Sequence, residues 1–333
     1  MTDTITAIEA GGGGLDDVRV TRVPDPPAPG SDEVTVEMLA MSINPADLLM
    51  LEGRYGTRPE PPFLPGTEGI GRVVAAGPDS GLAPGALVLP IALGAWVERQ
   101  NVKAQGVIPL PDGVDIAQAA MLKVNPATAL VMLSDLLDLQ PGEWVVQNAA
   151  NSAVGQNVVK IGRALGLKIA CVVRREDVAE GLRALGADAV FVDDGTGAPP
   201  VLPDGAQARL ALDAIGGTAT ERLGDCLADG GTVLTYGLMS GQSPRLSAHD
   251  LVFRGLTLRG FWLATWFESA PPDRVAELYG QLVRWLTEGR IGARITARYR
   301  LDDIAQAIAH AAREGRDGKV LLVSGDEAER VKM

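Results

Sequence analysis

Residues that bind metals or form disulfides are scarce in this chain, which has two cysteines and two histidines in 333 residues. Cys171 and Cys226 are far apart and show no metal-ligand spacing. His249 lies in the run SAHD, which is typical of a helix start, and His310 lies on a predicted amphipathic helix. A catalytic zinc takes about three protein ligands, mostly Cys and His, so we predict no metal site. A serine hydrolase is not expected either, because no G-x-S-x-G run is present.

Basic charge and long apolar runs are also lacking. The formal net charge is −12 and no basic stripe is visible, so we expect no nucleic-acid partner, since phosphate binding needs clustered Lys and Arg. No apolar run approaches the roughly 18 residues of a membrane-spanning helix. The first residues, MTDTITAIEAGGGG, resemble neither a signal peptide nor a transit peptide. With so few cysteines, a reducing, cytoplasmic setting is expected.

Glycine and proline are abundant, with 40 and 22 residues, and they separate many short elements. The length and the 46% hydrophobic content favour two domains. Up to about Asp112, short β-like runs alternate with Pro/Gly turns. These runs are DEVTVEMLAMSI, GIGRVVAAG and GALVLPIALG. Such a pattern predicts a compact, β-rich first domain.

From about Asp115, unbroken apolar runs alternate with helical stretches. The predicted buried strands are EWVVQ (143–147), KIACVV (168–173), AVFVD (189–193), RLALDAI (209–215), GTVLTYG (231–237) and LTLRGFWL (256–263). Buried strands that alternate with helices indicate right-handed βαβ units and a parallel sheet. Six of them suit a doubly wound dinucleotide-binding fold. Between the fourth and fifth strands, GTATERLGDCLADGG is predicted as a helix ended by its Gly pair.

The tail contains further regular elements. PDRVAELYGQLVRWLTEGRI predicts an amphipathic helix. A strand ITARYRL, a helix DIAQAIAHAAREG and a final strand GKVLLVS follow. A tail of this kind is able to return and complete the first domain.

The turn QNAANSAVGQ, between the first buried strand and its helix, is the place where a doubly wound sheet receives a pyrophosphate. Gly155 is its one glycine, so a plain strand–helix connection remains the alternative.

The second strand ends in Arg174 and Arg175, where an NAD enzyme usually carries an acid. Guanidinium groups suit the 2′-phosphate of NADP, although two solvated arginines are the alternative. Glu176 either contacts a ribose hydroxyl or pairs with an arginine.

Several runs together resemble one family over nearly the whole chain. They are SINPADLLMLEGRYG, PFLPGTEGIGRVVAAG, KVNPATA, QNAANSAVGQ, TYGLM and GFWL. They resemble the zinc-free branch of the medium-chain dehydrogenase/reductase superfamily, and within it the mitochondrial-type trans-2-enoyl-thioester reductases. Zinc-dependent members carry Cys and His where this chain has Ser42, Asn44 and Thr67, which agrees with the prediction that no metal site is present.

The resemblance implies an α/β fold in two parts. A doubly wound, parallel-sheet Rossmann domain that binds NADP would span 121–266. A GroES-like, β-rich catalytic domain would span 1–120 and be completed by 267–333. The resemblance also implies a homodimer in which edge strands from the region of the sixth strand pair.

The resemblance further implies roles for individual residues. Tyr55 of EGRYG matches the catalytic tyrosine. The residues implied to contact NADPH are Asn44, Asn125, Asn151, Ser152, Ala153, Val154, Arg174, Arg175, Tyr236, Gly237, Leu238, Met239, Phe261, Trp262, Leu263 and Lys319. Two positions depart from the family pattern. Ala153 replaces a common glycine, and RRE replaces R-D-R.

Some of these residues have simpler explanations. Asn125 would cap a helix, Tyr236 would pack in the sheet, Trp262 would lie in a strand core, and Lys319 would be a solvated surface lysine. These alternatives stay open at the level of the sequence.

The resemblance implies reduction of the 2,3 double bond of trans-2-enoyl thioesters, carried by CoA or acyl carrier protein. NADPH would deliver hydride to the β-carbon, and the hydroxyl of Tyr55 would donate a hydrogen bond where enolate charge develops. An NADPH quinone or enone reductase on the same fold is the alternative enzyme. A non-enzymatic NADPH-binding sensor or structural protein is the alternative of another class.

Overall fold

The computed structural model describes residues 4–313, 315–316 and 318–325. The chain divides into two compact units, Met1–Val124 with Tyr279–Met333, and Asn125–Leu278. The first predicted domain includes residues 1–3, 314, 317 and 326–333, which lie outside the described residues. None of the described helices is long and apolar enough to cross a membrane.

The N-terminal part of the first unit consists mainly of short strands, with one helix between the third and fourth strands and a second helix after the seventh. Its elements are β1 (Thr4–Ala10), β2 (Val18–Pro24), β3 (Glu33–Ser42), α1 (Pro45–Leu51), β4 (Gly69–Ala76), β5 (Leu87–Pro90), β6 (Arg99–Lys103), β7 (Val107–Pro109) and α2 (Ile116–Ala119). β1 and β2 form an antiparallel hairpin. Strands this short follow from the dense Gly and Pro turns, because both residues end regular pairing.

The second unit alternates strands and helices. Its elements are α3 (Asn125–Ser134), β8 (Trp144–Gln147), α4 (Ala153–Ala164), β9 (Lys168–Val173), α5 (Glu176–Leu185), β10 (Ala189–Val192), β11 (Ala208–Asp213), α6 (Thr218–Asp225), β12 (Leu227–Thr235), α7 (Ala248–Val252), β13 (Thr257–Gly260), α8 (Leu263–Ser269) and the start of α9 (Pro272–Thr287). The strands form a parallel sheet in the order β10-β9-β8-β11-β12-β13. This is the 3-2-1-4-5-6 order of dinucleotide-binding sheets, in which ligands bind outside the carboxyl ends of the strands.

The tail forms β14 (Ile295–Arg300), α10 (Ile304–Ala311) and β15 (Lys319–Val323). β15 pairs with β14 in parallel and with β3 in antiparallel fashion. β3 also pairs with β4 and β6, and β4 leads on to β5 and β7. The tail strands therefore lie in the sheet of the first unit, and Leu322 of β15 belongs to its apolar core together with Ile8 and Trp96.

Two predicted element boundaries were wrong. The Gly pair Gly230–Gly231 does not follow a helix end, because α6 ends at Asp225 and the pair lies inside β12. Leu227 is buried and pairs with Ala208 of β11, so the strand begins earlier than its local sequence suggests. The predicted strand 256–263 is also too long, since β13 ends at Gly260 and Trp262 precedes the first residue of α8.

Candidate active site

Tyr55 lies on a turn that is attached to the end of α1. The N–H groups of Arg54 and Tyr55 both donate to the carbonyl of Leu49, at 2.8 and 3.1 Å. Gly53 allows this turn because its φ of +66° is in the left-handed region that favours glycine. The Tyr55 ring is half-buried. The backbone position of Tyr55 is therefore set by α1 and not by a long free loop.

The start of α1 is held by a buried carboxylate. The Asp47 carboxylate accepts from the N–H of Asn44 at 2.7 Å and from the N–H of Thr67, just before β4, at 2.8 Å. Asn44 is the residue that precedes the helix. A carboxylate in the first turn also suits the helix dipole. Burial raises the pKa of the Asp47 carboxyl to about 7.

Asn44 connects this helix start to two further segments. Its side-chain amide donates to Glu68 Oε1 at 2.7 Å, and its Oδ1 accepts from the Lys319 ammonium. Lys319 is the first residue of β15. It is 3% exposed, which excludes the simpler explanation of a solvated surface lysine. Its implied contact with a cofactor stays a prediction.

The same cluster includes a second lysine. Lys123 Nζ donates to the carbonyls of Thr67 and Ala92, and its own carbonyl accepts from the Tyr279 hydroxyl at 2.9 Å. The N–H of Val124 donates to Glu68 Oε2 at 2.8 Å. Burial lowers the pKa of Lys123 to about 8, and burial likewise lowers the pKa of Lys319 to about 8.

In the second unit, the turn after β8 begins α4. Ser152 precedes the helix, and its hydroxyl accepts from the N–H of Gly155 at 3.1 Å. Gly155 approaches the turn so closely that a Cβ there would lie 2.5 Å from the Ala150 carbonyl oxygen. Ala153 and Val154 form the first turn, where backbone N–H groups have no acceptor within the helix. This helix start suits an anion.

The two arginines follow β9 at the same edge of the sheet. Arg174 is exposed, and its guanidinium forms no hydrogen bond or ion pair with another described residue. Arg175 precedes α5 and forms an exposed ion pair with Asp177 at 3.2 Å. Glu176 pairs with Arg183 at 3.0 Å, which agrees with the simpler of its two explanations. Arg174 is thus the guanidinium that is free to meet an anion.

The carboxyl ends of β12 and β13 hold the remaining predicted contacts. Tyr236 follows β12, and its N–H donates to the Asp213 carbonyl at 2.9 Å. Burial raises the pKa of the Tyr236 hydroxyl. Leu238 and Met239 are exposed. After β13, the Phe261 N–H donates to the Thr235 carbonyl at 2.9 Å.

The structure brings the predicted residues together in two groups. In the first unit, Asn44 bonds directly to Lys319, and Tyr55 lies at the far end of the helix that Asn44 begins. In the second unit, the predicted residues lie at the carboxyl ends of parallel strands or in the helix starts that follow. These are Asn151, Ser152, Ala153, Val154, Arg174, Arg175, Tyr236, Gly237, Leu238, Met239, Phe261, Trp262 and Leu263. Asn125, a buried residue, begins α3.

Sequence reasoning missed Asp213 and Asn148, which organise the switch point between β8 and β11. Asp213 Oδ1 accepts from the Asn148 side chain at 2.6 Å and from the N–H groups of Ile215 and Gly216 at 2.9 and 3.0 Å. The available signal was an acid directly after the apolar run LAL and before a Gly pair. A carboxylate there caps a tight turn.

Comparison with known proteins gives a consistent result. Two family models match, the alcohol dehydrogenase GroES-like domain over residues 30–112 and the zinc-binding dehydrogenase over residues 153–281. The mitochondrial enoyl-[acyl-carrier-protein] reductase of Rattus norvegicus is 41% identical over 84% of this chain and 77% of its own length. Its Homo sapiens counterpart is 40% identical over 88% of this chain and 81% of its own length. The chain belongs to the mitochondrial enoyl-[acyl-carrier-protein] reductase family.

Solved structures of enoyl thioester reductases and of a quinone oxidoreductase are similar to this chain. The Etr1p complex with NADP and crotonyl-CoA has a TM-score of 0.86 and 26% identity, covering 97% of this chain and 100% of that one. The mitochondrial 2-enoyl thioester reductase Etr1p/Etr2p heterodimer from Candida tropicalis has a TM-score of 0.87 and 27% identity, with the same coverage of 97% and 100%. Escherichia coli quinone oxidoreductase complexed with NADPH has a TM-score of 0.86 and 25% identity, covering 96% and 100%. The predicted fold class, a doubly wound sheet plus a GroES-like β-rich domain, is confirmed.

One of the two matching family models is named for zinc binding. The side chains of this member of the enoyl reductase family do not suit a zinc ion. Zinc prefers Cys, His and carboxylate ligands. Here the corresponding region contains the Asn44 amide and the Thr67 hydroxyl. Both oxygens of Glu68 already accept hydrogen bonds, and two lysine ammonium groups lie in the same cluster. Among the described residues, no group of three or more His, Cys, Asp and Glu is placed to hold a metal ion.

The tight approach at Gly155 predicts a large effect of one added methyl group. We expect Gly155→Ala to destabilise the second unit by about 1–3 kcal/mol, because the turn and α4 must move apart. Thermal unfolding measures this. Gly181→Ala is the matched control, since its Cβ meets no atom within 4 Å and alanine favours the helix by about 0.5–1 kcal/mol. Equal melting temperatures for the two variants would contradict the close approach.

Proposed function

We propose that this protein reduces the 2,3 double bond of trans-2-enoyl thioesters with NADPH, the acyl group being carried by CoA or acyl carrier protein. The observation that carries the proposal is Tyr55, whose backbone is hydrogen-bonded to the end of α1 in a member of a family whose relatives are named enoyl-[acyl-carrier-protein] reductases. The Etr1p complex with NADP and crotonyl-CoA supports both the cofactor and the substrate class.

The hydrogen-bond donors of the second unit suit the phosphate groups of NADPH. The start of α4 offers backbone N–H groups and a positive dipole end to the pyrophosphate. Arg174 offers forked donors and positive charge to the 2′-phosphate. Gly237 lies so near Ala214 that a Cβ would be 2.7 Å from its carbonyl oxygen, which keeps the chain after β12 close to the sheet edge. We assign NADPH binding to these residues.

Bound NADPH supplies the hydride that adds to the β-carbon of the enoyl thioester. The negative charge that develops on the thioester oxygen requires a hydrogen-bond donor, and Tyr55 provides an O–H for this purpose. The same hydroxyl is able to pass a proton to the α-carbon, directly or through water. The attachment of Tyr55 to α1 matters because a small displacement of such a donor removes much of its effect.

A quinone or enone reductase is the second candidate, and the likeness to Escherichia coli quinone oxidoreductase favours it. It would use the same hydride donor without recognising a thioester. A higher kcat/KM for a quinone than for an enoyl-CoA would select this candidate. NADPH binding without turnover of either acceptor would select a non-enzymatic role.

Removal of the Tyr55 hydroxyl tests the proposed donor. We expect Tyr55→Phe to lower kcat for a trans-2-enoyl-CoA by roughly 10- to 1000-fold, the scale for one lost oxyanion donor, while NADPH binding persists. Tyr299→Phe is the control, because Tyr299 is also a half-buried tyrosine of the first unit and its hydroxyl bonds to His310. Steady-state kinetics and NADPH fluorescence titration measure the two effects. Near-normal turnover by Tyr55→Phe would remove this role.

Removal of the Arg174 guanidinium tests the choice of cofactor. A charge-assisted hydrogen bond contributes about 1.5–3 kcal/mol, so Arg174→Ala should weaken NADPH binding about 10- to 100-fold and leave NADH binding within about threefold. Arg245→Ala is the control, since Arg245 is an exposed arginine of the same unit that pairs with Glu221 at 2.9 Å. Parallel titrations with both cofactors give the ratio. An unchanged NADPH/NADH ratio contradicts the assignment.

We further propose a homodimer formed by antiparallel pairing of β13 with β13 of a second copy. β13 is an edge strand that pairs only with β12 among the described strands. The helix before it ends in exposed apolar side chains, with Val252 and Phe253 70% and 77% exposed. Exposed edges and apolar patches of this kind are typical of interfaces. The Etr1p/Etr2p heterodimer supports a dimeric assembly.

A charge in the apolar patch should break this dimer. We expect Phe253→Asp to convert the protein from dimer to monomer at micromolar concentration, because a carboxylate at the centre of an interface is strongly disfavoured. Val192→Asp is the control, since Val192 is a half-exposed residue on β10, the opposite edge strand. Size-exclusion chromatography with light scattering reports the mass. A monomeric wild-type protein, or a monomer from Val192→Asp alone, would contradict the β13 interface.

A further inference from the structure

Glu68 is a buried carboxylate whose two oxygens accept hydrogen bonds from different parts of the chain. Oε1 accepts from the Asn44 side-chain amide at 2.7 Å, and Oε2 accepts from the N–H of Val124 at 2.8 Å. The side chain is 0% exposed, so neither bond is exchanged for bulk water. Glu68 thereby joins two segments that are far apart in the sequence.

Both segments lead directly to residues of the candidate site. Asn44 precedes α1, whose other end holds Tyr55 through the carbonyl of Leu49. Val124 is followed by Asn125, for which the family resemblance implies a cofactor contact. One path runs from Glu68 through the Asn44 side chain and along α1 to Tyr55, and the other runs through the Val124 N–H to the adjacent Asn125.

Two donors, the Asn44 side-chain amide and the Val124 N–H, face residue 68, and a carboxylate at this position accepts a hydrogen bond from each. Asn44 cannot turn its own oxygen toward residue 68, because that oxygen accepts from Lys319. A glutamine at residue 68 has one acceptor oxygen and would face the second donor with an NH₂ group. A buried ion pair is weak evidence for stability, since apolar replacements of buried ion pairs are often as stable. Precise placement of the joined segments is a better reason for this costly arrangement.

We propose that Glu68 is a positioning residue of the reductase reaction, which holds the helix that carries Tyr55 in register with the chain at Val124. The inference rests on the proposed function. Glu68 touches neither substrate nor cofactor in this role. It acts by fixing the distance between a donor and its target, and misplacement by about 1 Å lowers rates by about 100-fold.

The test uses Glu68→Gln and a compensating double variant that combines Glu68→Gln with Asn44→Asp. In the double variant the donor and acceptor are exchanged: the new amide at position 68 donates to the new carboxylate at position 44, and the amide oxygen accepts from Val124. The net charge is unchanged. We expect Glu68→Gln to lower kcat for an enoyl-CoA about 10- to 100-fold and to raise the primary isotope effect with 4-deuterated NADPH, because hydride transfer becomes slower. The double variant should recover at least about tenfold of that loss.

Thr35→Val is the stability control, because Thr35 is a buried residue of the same unit whose hydroxyl donates to Asn101 at 2.7 Å, away from the site. It should lose a comparable amount of thermal stability and keep its kcat and isotope effect. The inference is overturned if Glu68→Gln turns over within about twofold of wild type, or if its kcat falls and the double variant binds NADPH normally but recovers nothing. If Glu68→Gln does not fold, or if the double variant loses NADPH binding through Asn44, Glu68→Asp decides, because its carboxylate keeps the charge and both acceptor oxygens on a side chain shorter by one CH₂. A kcat lower by about tenfold supports the inference, and a kcat within about twofold of wild type overturns it.

The wild-type assay separates this inference from the proposed function. If the wild-type protein reduces no enoyl thioester with NADPH, the proposed function fails whatever the variants do. If the wild-type protein turns over and Glu68→Gln equals it, only the role of Glu68 fails.

Discussion

The buried charges of the first unit are the constraint on which the placement of Tyr55, the proposed hydrogen-bond donor, depends. Asp47 and Glu68 are fully buried beside the ammonium groups of Lys123 and Lys319. Removing such ions from water costs several kcal/mol each, so every charge has to keep its partners, and the segments that carry them have to keep their positions. The end of β3, the start of α1, the residues just before β4 and the first residue of β15 meet there. Tyr55 receives its position through α1.

Much of the fold could be predicted from the sequence because its signals are local. The apolar runs of β8 to β11 match the predicted strands closely, since strands buried on both faces need continuous apolar residues. The misassigned Gly pair shows the limit. The local sequence predicts a helix end at Gly230–Gly231. In the structure, Leu227 pairs with Ala208, which is distant in sequence, so that β12 begins before the Gly pair and includes it. Tertiary pairing decided where that strand begins.

The candidate site was predictable in part. The turn before α4 was predictable from its position after a strand, and Arg174 from its position and charge after the next strand. Tyr55 was predicted only through the family resemblance, because one tyrosine in a Gly-rich turn has no diagnostic spacing. The buried cluster was not predicted. Glu68 and Lys319 are separated by most of the chain, and only the return of β15 to β3 brings them together. The one local signal was Lys123, a lysine inside the apolar stretch AAMLKV.

We expect hydride from NADPH to reach the β-carbon of an enoyl thioester on this protein. The most direct measurement uses NADPH that carries deuterium at the transferable position of C4, with crotonyl-CoA as acceptor, and locates the label in the product by NMR. The expected product is butyryl-CoA with one deuterium at C3 and none at C2. Deuterium at C2, or consumption of NADPH without a saturated thioester, would contradict this expectation.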